Sequence, residues 1–179
     1  MAEAASDADD EIVVVTHEDT AAAADGSAAE EEEEAIAIAN QLKEEANTLF
    51  QKGSFESALS LYQRAIDGLR ICKSASAKRK ANETEVALRN NRTQALMQLQ
   101  EYRKAAEEAT AVLQLSKNNS KALLRRGLAY EYAEQYGAAF NDFETLLYTD
   151  PTNSGKLAST AIDRLRRFLN PDEMRKLRS

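Results

Sequence analysis

Five polar residues occur at helical spacing along the chain, and their types suit the binding of carboxylates. Lys43 and Asn47 are four residues apart, Lys121 and Arg125 are four residues apart, and Asn91 lies between the two pairs. Residues four apart share one face of an α-helix. Lysine and arginine form charge-assisted hydrogen bonds with carboxylates, and amides can orient a peptide main chain. The set therefore predicts a site for a C-terminal acidic residue, which carries two carboxylates.

The local sequence gives these residues few partners of their own. No Asp or Glu lies within four residues of Lys121 or Arg125, and Lys117 adds a like charge on the same stripe, which costs roughly 0.2–0.5 kcal/mol per pair. Asn47 and Asn91 are poor residues for a helix interior, because their side chains compete with the backbone for hydrogen bonds. Such violations are expected at functional sites, whereas the alternative interpretation is a set of simply solvated side chains.

The elements that position these residues are helices. The chain has two Pro, six Gly and no Trp, which favours an all-α fold. Apolar residues at helical spacing predict three helix pairs, and Ala105 and Ala139 define a period of 34 residues. We place the repeats at 39–72, 86–119 and 120–153, and expect residues 73–85 to lengthen the second helix. A capping helix at 155–169 is predicted to bury one stripe, formed by Leu157, Ala161, Leu165 and Phe168.

The repeats resemble the tetratricopeptide family. The family's small residues appear as Ala46 and Gly127, and its later helix-contact residues as Ala58, Ala105 and Ala139. Its aromatic residue that opens the second helix appears as Phe55, Tyr102 and Tyr136, and Asp150-Pro151 ends the third repeat. The chain departs from the family pattern at Leu42, Arg70, Thr93 and Lys117. The resemblance implies three helical hairpins in a right-handed superhelix, whose first helices line a concave groove.

The five polar residues resemble the carboxylate clamp of Hop-type chaperone adaptors. That clamp reads Lys-x-x-x-Asn, Asn-Arg and Lys-x-x-x-Arg in successive repeats, and this chain carries LKEEAN (42–47), RNNRTQA (89–95) and SKALLRR (120–126). The resemblance implies a co-chaperone that binds the EEVD tail of heat-shock protein 70 or heat-shock protein 90, without choosing between them. Phe50, Gln94 and Leu128 are candidates for a peptide side-chain pocket, and core packing is the alternative for Phe50 and Leu128. Arg92 is expected to serve an intramolecular role.

Residues 1–34 form an acidic leader, with 13 of the chain's 30 acidic residues and none of its 23 Lys and Arg. Residues 35–179 consequently carry a formal net charge of +6. We expect disorder over 1–34, a folded domain over 35–170 and a C-terminal tail over 171–179. The leader and the insertion are similar to those of the tetratricopeptide repeat protein 1 group.

One apolar run interrupts the acidic leader, and it consists of Ile12, Val13, Val14 and Val15. With its acidic neighbours it resembles a SUMO-interacting motif, which would add as a strand to a sheet edge. A chance apolar segment, or a contact with the chain's own basic domain, is the alternative. A further alternative is that the leader folds back over the groove and competes with the peptide.

Several classes of function are disfavoured. The one histidine, His17, lies in the leader, so the domain has no Ser-His or Cys-His pair and no histidine metal cluster, and we predict no enzyme, cofactor or metal. The basic excess is modest and forms no stripe with interleaved aromatics, which disfavours nucleic acid. Glu107-Glu108 is interpreted as a solvated face.

The remaining expectations concern the cellular compartment and a rival function. The single Cys72 and the lack of a secretory signal or membrane span predict a cytoplasmic protein, with the nucleus as a second expected compartment. We also expect a monomer. Lys78-Arg79-Lys80 is either a nuclear signal or a solvated helix end. The rival function is a scaffold whose groove binds an internal peptide of another assembly.

Overall fold

The computed structural model describes residues 18–170 and 172, with side chains from residue 26 onward. Within this part of the chain, every long element is a helix. The helices are α1 (Glu18–Gln51), α2 (Phe55–Gly68), α3 (Ala75–Gln98), α4 (Tyr102–Leu115), α5 (Ser120–Tyr132), α6 (Tyr136–Thr149) and α7 (Gly155–Leu165). Each packs mainly on its neighbours in sequence, so the three predicted hairpins and the capping helix are confirmed. None of the described helices is long and apolar enough to cross a bilayer.

Small residues allow the helices of each hairpin to approach closely. Ala58, Ala105 and Ala139 have no exposed surface, as the repeat pattern predicts. Packed helices lie about 8–10 Å apart, so a large side chain at these positions would separate them. Gly127 of α5 also lies close to α6, because an added Cβ there would be 2.8 Å from Cε1 of Phe143.

The turn inside each hairpin repeats one backbone geometry. Gly53, Gln100 and Glu134 all have positive φ angles, of 79°, 59° and 60°. In each turn, that residue and the next donate backbone hydrogen bonds to the preceding helix, as in Gly53 N to Phe50 O (3.0 Å) and Ser54 N to Leu49 O (2.9 Å). These bonds satisfy carbonyls that the helix end leaves open.

The predicted boundary between leader and domain, at residues 34 and 35, is wrong. The helix α1 begins at Glu18, and the Glu32 side chain is buried against the start of α3. Its carboxylate accepts hydrogen bonds from the backbone N–H groups of Lys73 (2.5 Å) and Ser74 (2.9 Å) and from the Ser74 hydroxyl (2.5 Å). Residues 1–17, with Ile12–Val15 and His17, lie outside the described residues, so disorder there stays a prediction.

The insertion at 73–85 lengthens α3 rather than the second helix. The helix α2 ends at Gly68 and a single 3-10 turn follows at Leu69–Ile71. Ser74 then caps α3, because its Oγ accepts a hydrogen bond from the Ala77 N–H (3.3 Å). Both α1 and α3 are longer than the helices of a single hairpin, and the two helices pack against each other.

The capping helix buries a different stripe from the predicted one. Ala161 and Leu165 are buried as expected, but Leu157 is 58% exposed, and the buried set is completed by Ala158 and Ile162. Helix α7 ends at Leu165 rather than residue 169, so Phe168 lies beyond it. The Phe168 ring is half exposed and stacks on Tyr136, with centroids 4.5 Å apart.

Candidate functional site

The helices α1, α3 and α5 lie side by side, and polar side chains of α3 bridge to both of its neighbours. The contact with α1 joins two predicted residues, because the Asn91 Nδ2 donates to the Asn47 Oδ1 (2.9 Å). The buried Tyr62 hydroxyl donates to the same oxygen (2.7 Å), and burial raises the pKa of Tyr62. Two donors thus fix the Asn47 oxygen, which turns its Nδ2 away from them.

Lys43 lies one turn before Asn47 on α1, and a carboxylate of the chain lies beside both. The Glu44 Oε2 accepts from the Asn47 Nδ2 (3.2 Å), and its Oε1 is 3.6 Å from the Lys43 Nζ. The Lys43 Nζ also donates to the Asn40 Oδ1 (2.9 Å). Lys43 and Asn47, which are predicted to bind a ligand carboxylate, therefore already contact the exposed carboxylate of Glu44 in the chain itself.

Arg125 of α5 is held by two residues of α3. Its Nη1 donates to the Asn90 Oδ1 (3.3 Å) and its Nη2 to the Gln94 Oε1 (2.7 Å). Both acceptors are neutral amides, and burial lowers the pKa of the Arg125 guanidinium. The residue is therefore a partly desolvated cation whose hydrogen bonds within the described chain do not cancel its charge.

Lys121 lies on the first turn of α5, one turn before Arg125. Its side chain is exposed and makes no hydrogen bond or ion pair with any residue that the structure describes. The structure thus joins Asn47 directly to Asn91 and joins Arg125 to the same central helix, whereas neither lysine bonds to the other three among the described residues. All five lie on the first helices of their hairpins, which are α1, α3 and α5.

The candidate pocket residues line two adjoining cavities. One, of about 360 Å³, is lined by Phe50 and Gln94 together with Glu44, Asn47, Gln51, Tyr62 and Asn91. The other, of about 410 Å³, is lined by Gln94, Arg125 and Leu128 together with Met97, Gln98, Tyr102, Leu124 and Tyr132. Gln94 belongs to both. Phe50 and Leu128 also pack against the core, which is the alternative role that the sequence left open, and their role in a peptide pocket stays a prediction.

A larger cavity of about 580 Å³ contains none of the predicted residues. It is lined by α4 and α5 residues that include Tyr102, Arg103, Thr110 and Tyr130. Among the described residues, no group of three His, Cys, Asp or Glu could hold a metal ion. The groove formed by α1, α3 and α5 is therefore where the chain's candidate binding groups converge.

Solved structures share this arrangement of helices. The C-terminal TPR-containing domain of a putative FK506-binding protein from Plasmodium falciparum has a TM-score of 0.69 and 26% identity, covering 81% of this chain and 95% of that one. The second TPR domain of human RPAP3, solved in complex with the HSP70 peptide SGPTIEEVD, has a TM-score of 0.61 and 27% identity, covering 74% and 98%. This chain has a tetratricopeptide-repeat (TPR) fold.

Curated proteins also match the TPR domain, although no family model matches the chain. Sperm-associated antigen 1 of Mus musculus is 31% identical over 136 residues, which are 76% of this chain and 13% of that protein. Sperm-associated antigen 1A of Danio rerio is 33% identical over 141 residues, or 76% and 31%. Mitochondrial import receptor subunit TOM34 of Rattus norvegicus is 33% identical over 129 residues, or 72% and 40%. The chain thus spans less than half the length of these relatives.

One predicted solvated face of the TPR domain is wrong in part. Glu107 is exposed, but Glu108 is buried and accepts hydrogen bonds from the Nη1 of Arg89 (2.8 Å) and the Nη1 of Arg92 (3.1 Å). Burial opposes the charged form of Arg89, but its hydrogen bond to Glu85 and the charge of Glu108 outweigh burial and raise its pKa. The intramolecular role expected of Arg92 is confirmed.

The third repeat contains an ion pair that no sequence pattern above predicted. Arg126 donates to Asp142 through Nη2 (2.6 Å) and Nε (2.8 Å), and this bond raises its pKa. The 34-residue period could have revealed the pair, because it maps Arg92 onto Arg126 and Glu108 onto Asp142. In both repeats, an arginine beside the groove residue is anchored to an acid on the second helix.

The basic run on α3 is exposed. Lys78, Arg79 and Lys80 lie in the helix's first two turns, and Lys80 forms an ion pair with Glu33 of α1. This placement agrees with a solvated helix end. A nuclear signal there stays a prediction.

Proposed function

We propose that the groove of this TPR domain binds the free C-terminal carboxylate of a partner protein. The observation that carries the proposal is the environment of Arg125, a partly buried cation whose hydrogen-bond acceptors are two neutral amides. One of these amides, Gln94, lines both cavities. A desolvated cation without a neutralising partner favours an anionic ligand. The function is that of an adaptor, since the groove presents binding groups and no paired acid, base or nucleophile.

Each predicted residue then has a distinct role. Arg125 suits a two-pronged bond to a planar carboxylate, whereas Lys43 and Lys121 supply point charges that lengthen the attractive field along the groove. The Asn47 Nδ2 already binds a carboxylate in Glu44, so it can bind that of a ligand instead. Asn91 fixes the Asn47 oxygen and thereby its donor group.

We further propose that the ligand is the EEVD tail of heat-shock protein 70 or heat-shock protein 90. The second TPR domain of human RPAP3 was solved with a peptide of that ending, and it is 27% identical to this chain. An EEVD tail ends in an aspartate, which provides the two carboxylates for which the five residues are suited. The Phe50 and Leu128 surfaces would contact apolar residues upstream.

The decisive test is calorimetry with a peptide ending in EEVD and with its C-terminal amide. Because hydrogen bonds to a charged group each contribute about 1.5–3 kcal/mol, we expect the amide to bind about tenfold to a hundredfold more weakly. Equal binding of the acid and the amide would favour the rival scaffold function, in which the groove takes an internal peptide.

Variants of two exposed lysines provide a matched comparison. Lys121→Ala removes an exposed cation that makes no hydrogen bond or ion pair with the described residues, so a loss of peptide affinity is not explained by the loss of such a bond within the chain. Lys117→Ala removes an exposed lysine that precedes α5, which begins at Ser120, so Lys117 does not share the helix face of Lys121 and Arg125 that the sequence predicted for it. We expect a loss of about three- to tenfold for the first variant and little change for the second. Identical losses would show that only the overall charge matters.

A further inference from the structure

The two amides that hold Arg125 form a matched pair on α3. Asn90 and Gln94 are one helical turn apart, and their oxygens accept from the two different terminal nitrogens of the guanidinium, at 3.3 Å and 2.7 Å. A guanidinium has five N–H donors in a fixed planar fork. Because two separate nitrogens are fixed from one side, the plane of the fork is set and the remaining donors are directed elsewhere.

Asn90 is itself fixed by the surrounding structure. It is 5% exposed, and its Nδ2 donates to the Val86 carbonyl (3.0 Å) and to the Asn119 Oδ1 (3.4 Å). Asn119 caps α5 by accepting from the Ala122 N–H (3.0 Å). The bonds on Nδ2 leave the Asn90 oxygen to face Arg125, so α3 is tied both to the start of α5 and to its central cation.

The choice of amides is notable beside the arginines that bind acids. Arg92 and Arg126 both bind carboxylates of second helices, Glu108 and Asp142. A carboxylate partner positions an arginine but also cancels its charge. An amide oxygen positions it and leaves the charge intact. Arg125 and Arg126 are adjacent in sequence, yet they have partners of opposite kinds.

We propose that Asn90 and Gln94 are positioning residues that orient the Arg125 guanidinium while leaving its charge available to a ligand carboxylate. This inference rests on the proposed function of the groove and adds how Arg125 is oriented and kept charged before the ligand binds. The cost of desolvating Arg125 is met in part by its two hydrogen bonds, and a bound anion supplies the rest.

The test replaces one amide by its acid. Gln94→Glu has nearly the same shape and places a carboxylate on the Arg125 Nη2, which neutralises the cation. The matched control is Gln98→Glu, one turn further along α3 in the same groove, which adds the same charge. We expect Gln94→Glu to weaken the acid peptide about tenfold or more, and Gln98→Glu about threefold or less, because interactions between exposed charges are screened.

Four readouts separate positioning from a purely structural effect. Gln94→Glu should reduce the ratio of acid to amide affinity and flatten the salt dependence of binding, whereas melting followed by circular dichroism should stay within a few degrees of the wild type. Gln94→Met keeps the charge of Arg125 but loosens its orientation. It should therefore weaken binding by about three- to tenfold while preserving the salt dependence. In the peptide-free Gln94→Met variant, the Arg125 side-chain N–H resonances should be broader or exchange faster than in the wild type.

The failures of the two proposals can be told apart. If the wild type binds acid and amide equally, the proposed function falls, and the inference falls with it. If the wild type discriminates but Gln94→Glu binds like the wild type, or loses no more than Gln98→Glu, only the inference about Asn90 and Gln94 is overturned. The expected pattern of losses, with fold retained, supports it.

Discussion

Substituting Gly127 by alanine tests how closely the two helices of the third hairpin approach. An added Cβ would lie 2.8 and 2.9 Å from two ring atoms of Phe143, which has no exposed surface and cannot swing into solvent. Overpacking of this kind costs about 1–3 kcal/mol, and two contacts below 3.0 Å favour the upper half of that range. Alanine is better than glycine in a helix interior by about 1 kcal/mol, which offsets part of the cost. We therefore expect a net loss of about 1–2 kcal/mol.

The assay is chemical and thermal unfolding, with Gly68→Ala as the control. Gly68 ends α2 in helical geometry, and nothing lies within 4 Å of its added Cβ, so this variant should gain up to about 1 kcal/mol. For a chain of this size, the loss at Gly127 corresponds to a fall in melting temperature of about 2–8 °C. Should Gly127→Ala melt at or above the wild type, the close approach of α5 and α6 would not limit packing as described.

Two further predictions concern charged residues of α1. Glu44→Gln should bind the EEVD peptide about two- to fivefold more tightly, because it removes the chain's own carboxylate from Lys43 and Asn47. The control is Glu45→Gln, whose side chain accepts a hydrogen bond from Gln41 and which should show no gain; equal gains by calorimetry would contradict this role. The Ser74 hydroxyl and the neighbouring backbone donors lower the pKa of Glu32 from its ordinary value of 4.5. The stability from the contact between Glu32 and the start of α3 is therefore fully present above pH 4.5 and is lost as the pH falls through the lowered pKa of the folded state. Hydrogen exchange over residues 26–34, corrected for intrinsic rates, should accelerate over that window, and Glu32→Gln should remove the pH dependence; an unchanged profile in the variant would assign it elsewhere.

The repeat architecture could be predicted because each repeat carries the same local pattern of small and aromatic residues. Ala58, Ala105 and Ala139 each report the same buried contact, and the 34-residue period confirms the alignment of the last two. The start of α1 could not be predicted in this way. Its Ala- and Glu-rich sequence is compatible with a helix and with disorder, and the bond between Glu32 and Ser74, 42 residues away, depends on the tertiary fold.

The site shows the same division between local and long-range information. Spacing identified Lys121 and Arg125, because residues four apart share a helix face. It could not show that Asn90 and Gln94 receive the Arg125 hydrogen bonds, because those depend on how α3 and α5 are aligned. A rotation of α7 likewise exchanges Leu157 for Ala158 on the buried stripe, although both fit a helical period.

The length of α1 has a consequence for regulation by the acidic leader. Its 34 residues span about 50 Å, and Lys43, the predicted groove residue nearest its start, is about 37 Å from Glu18 along the axis. A fully extended chain covers at most about 3.5 Å per residue, so Ile12 reaches only about 21 Å from Glu18 and Asp9 about 32 Å. The apolar run Ile12–Val15 therefore cannot reach Lys43 of its own molecule. It can reach the groove of a second molecule, which would make inhibition by this run intermolecular and dependent on protein concentration.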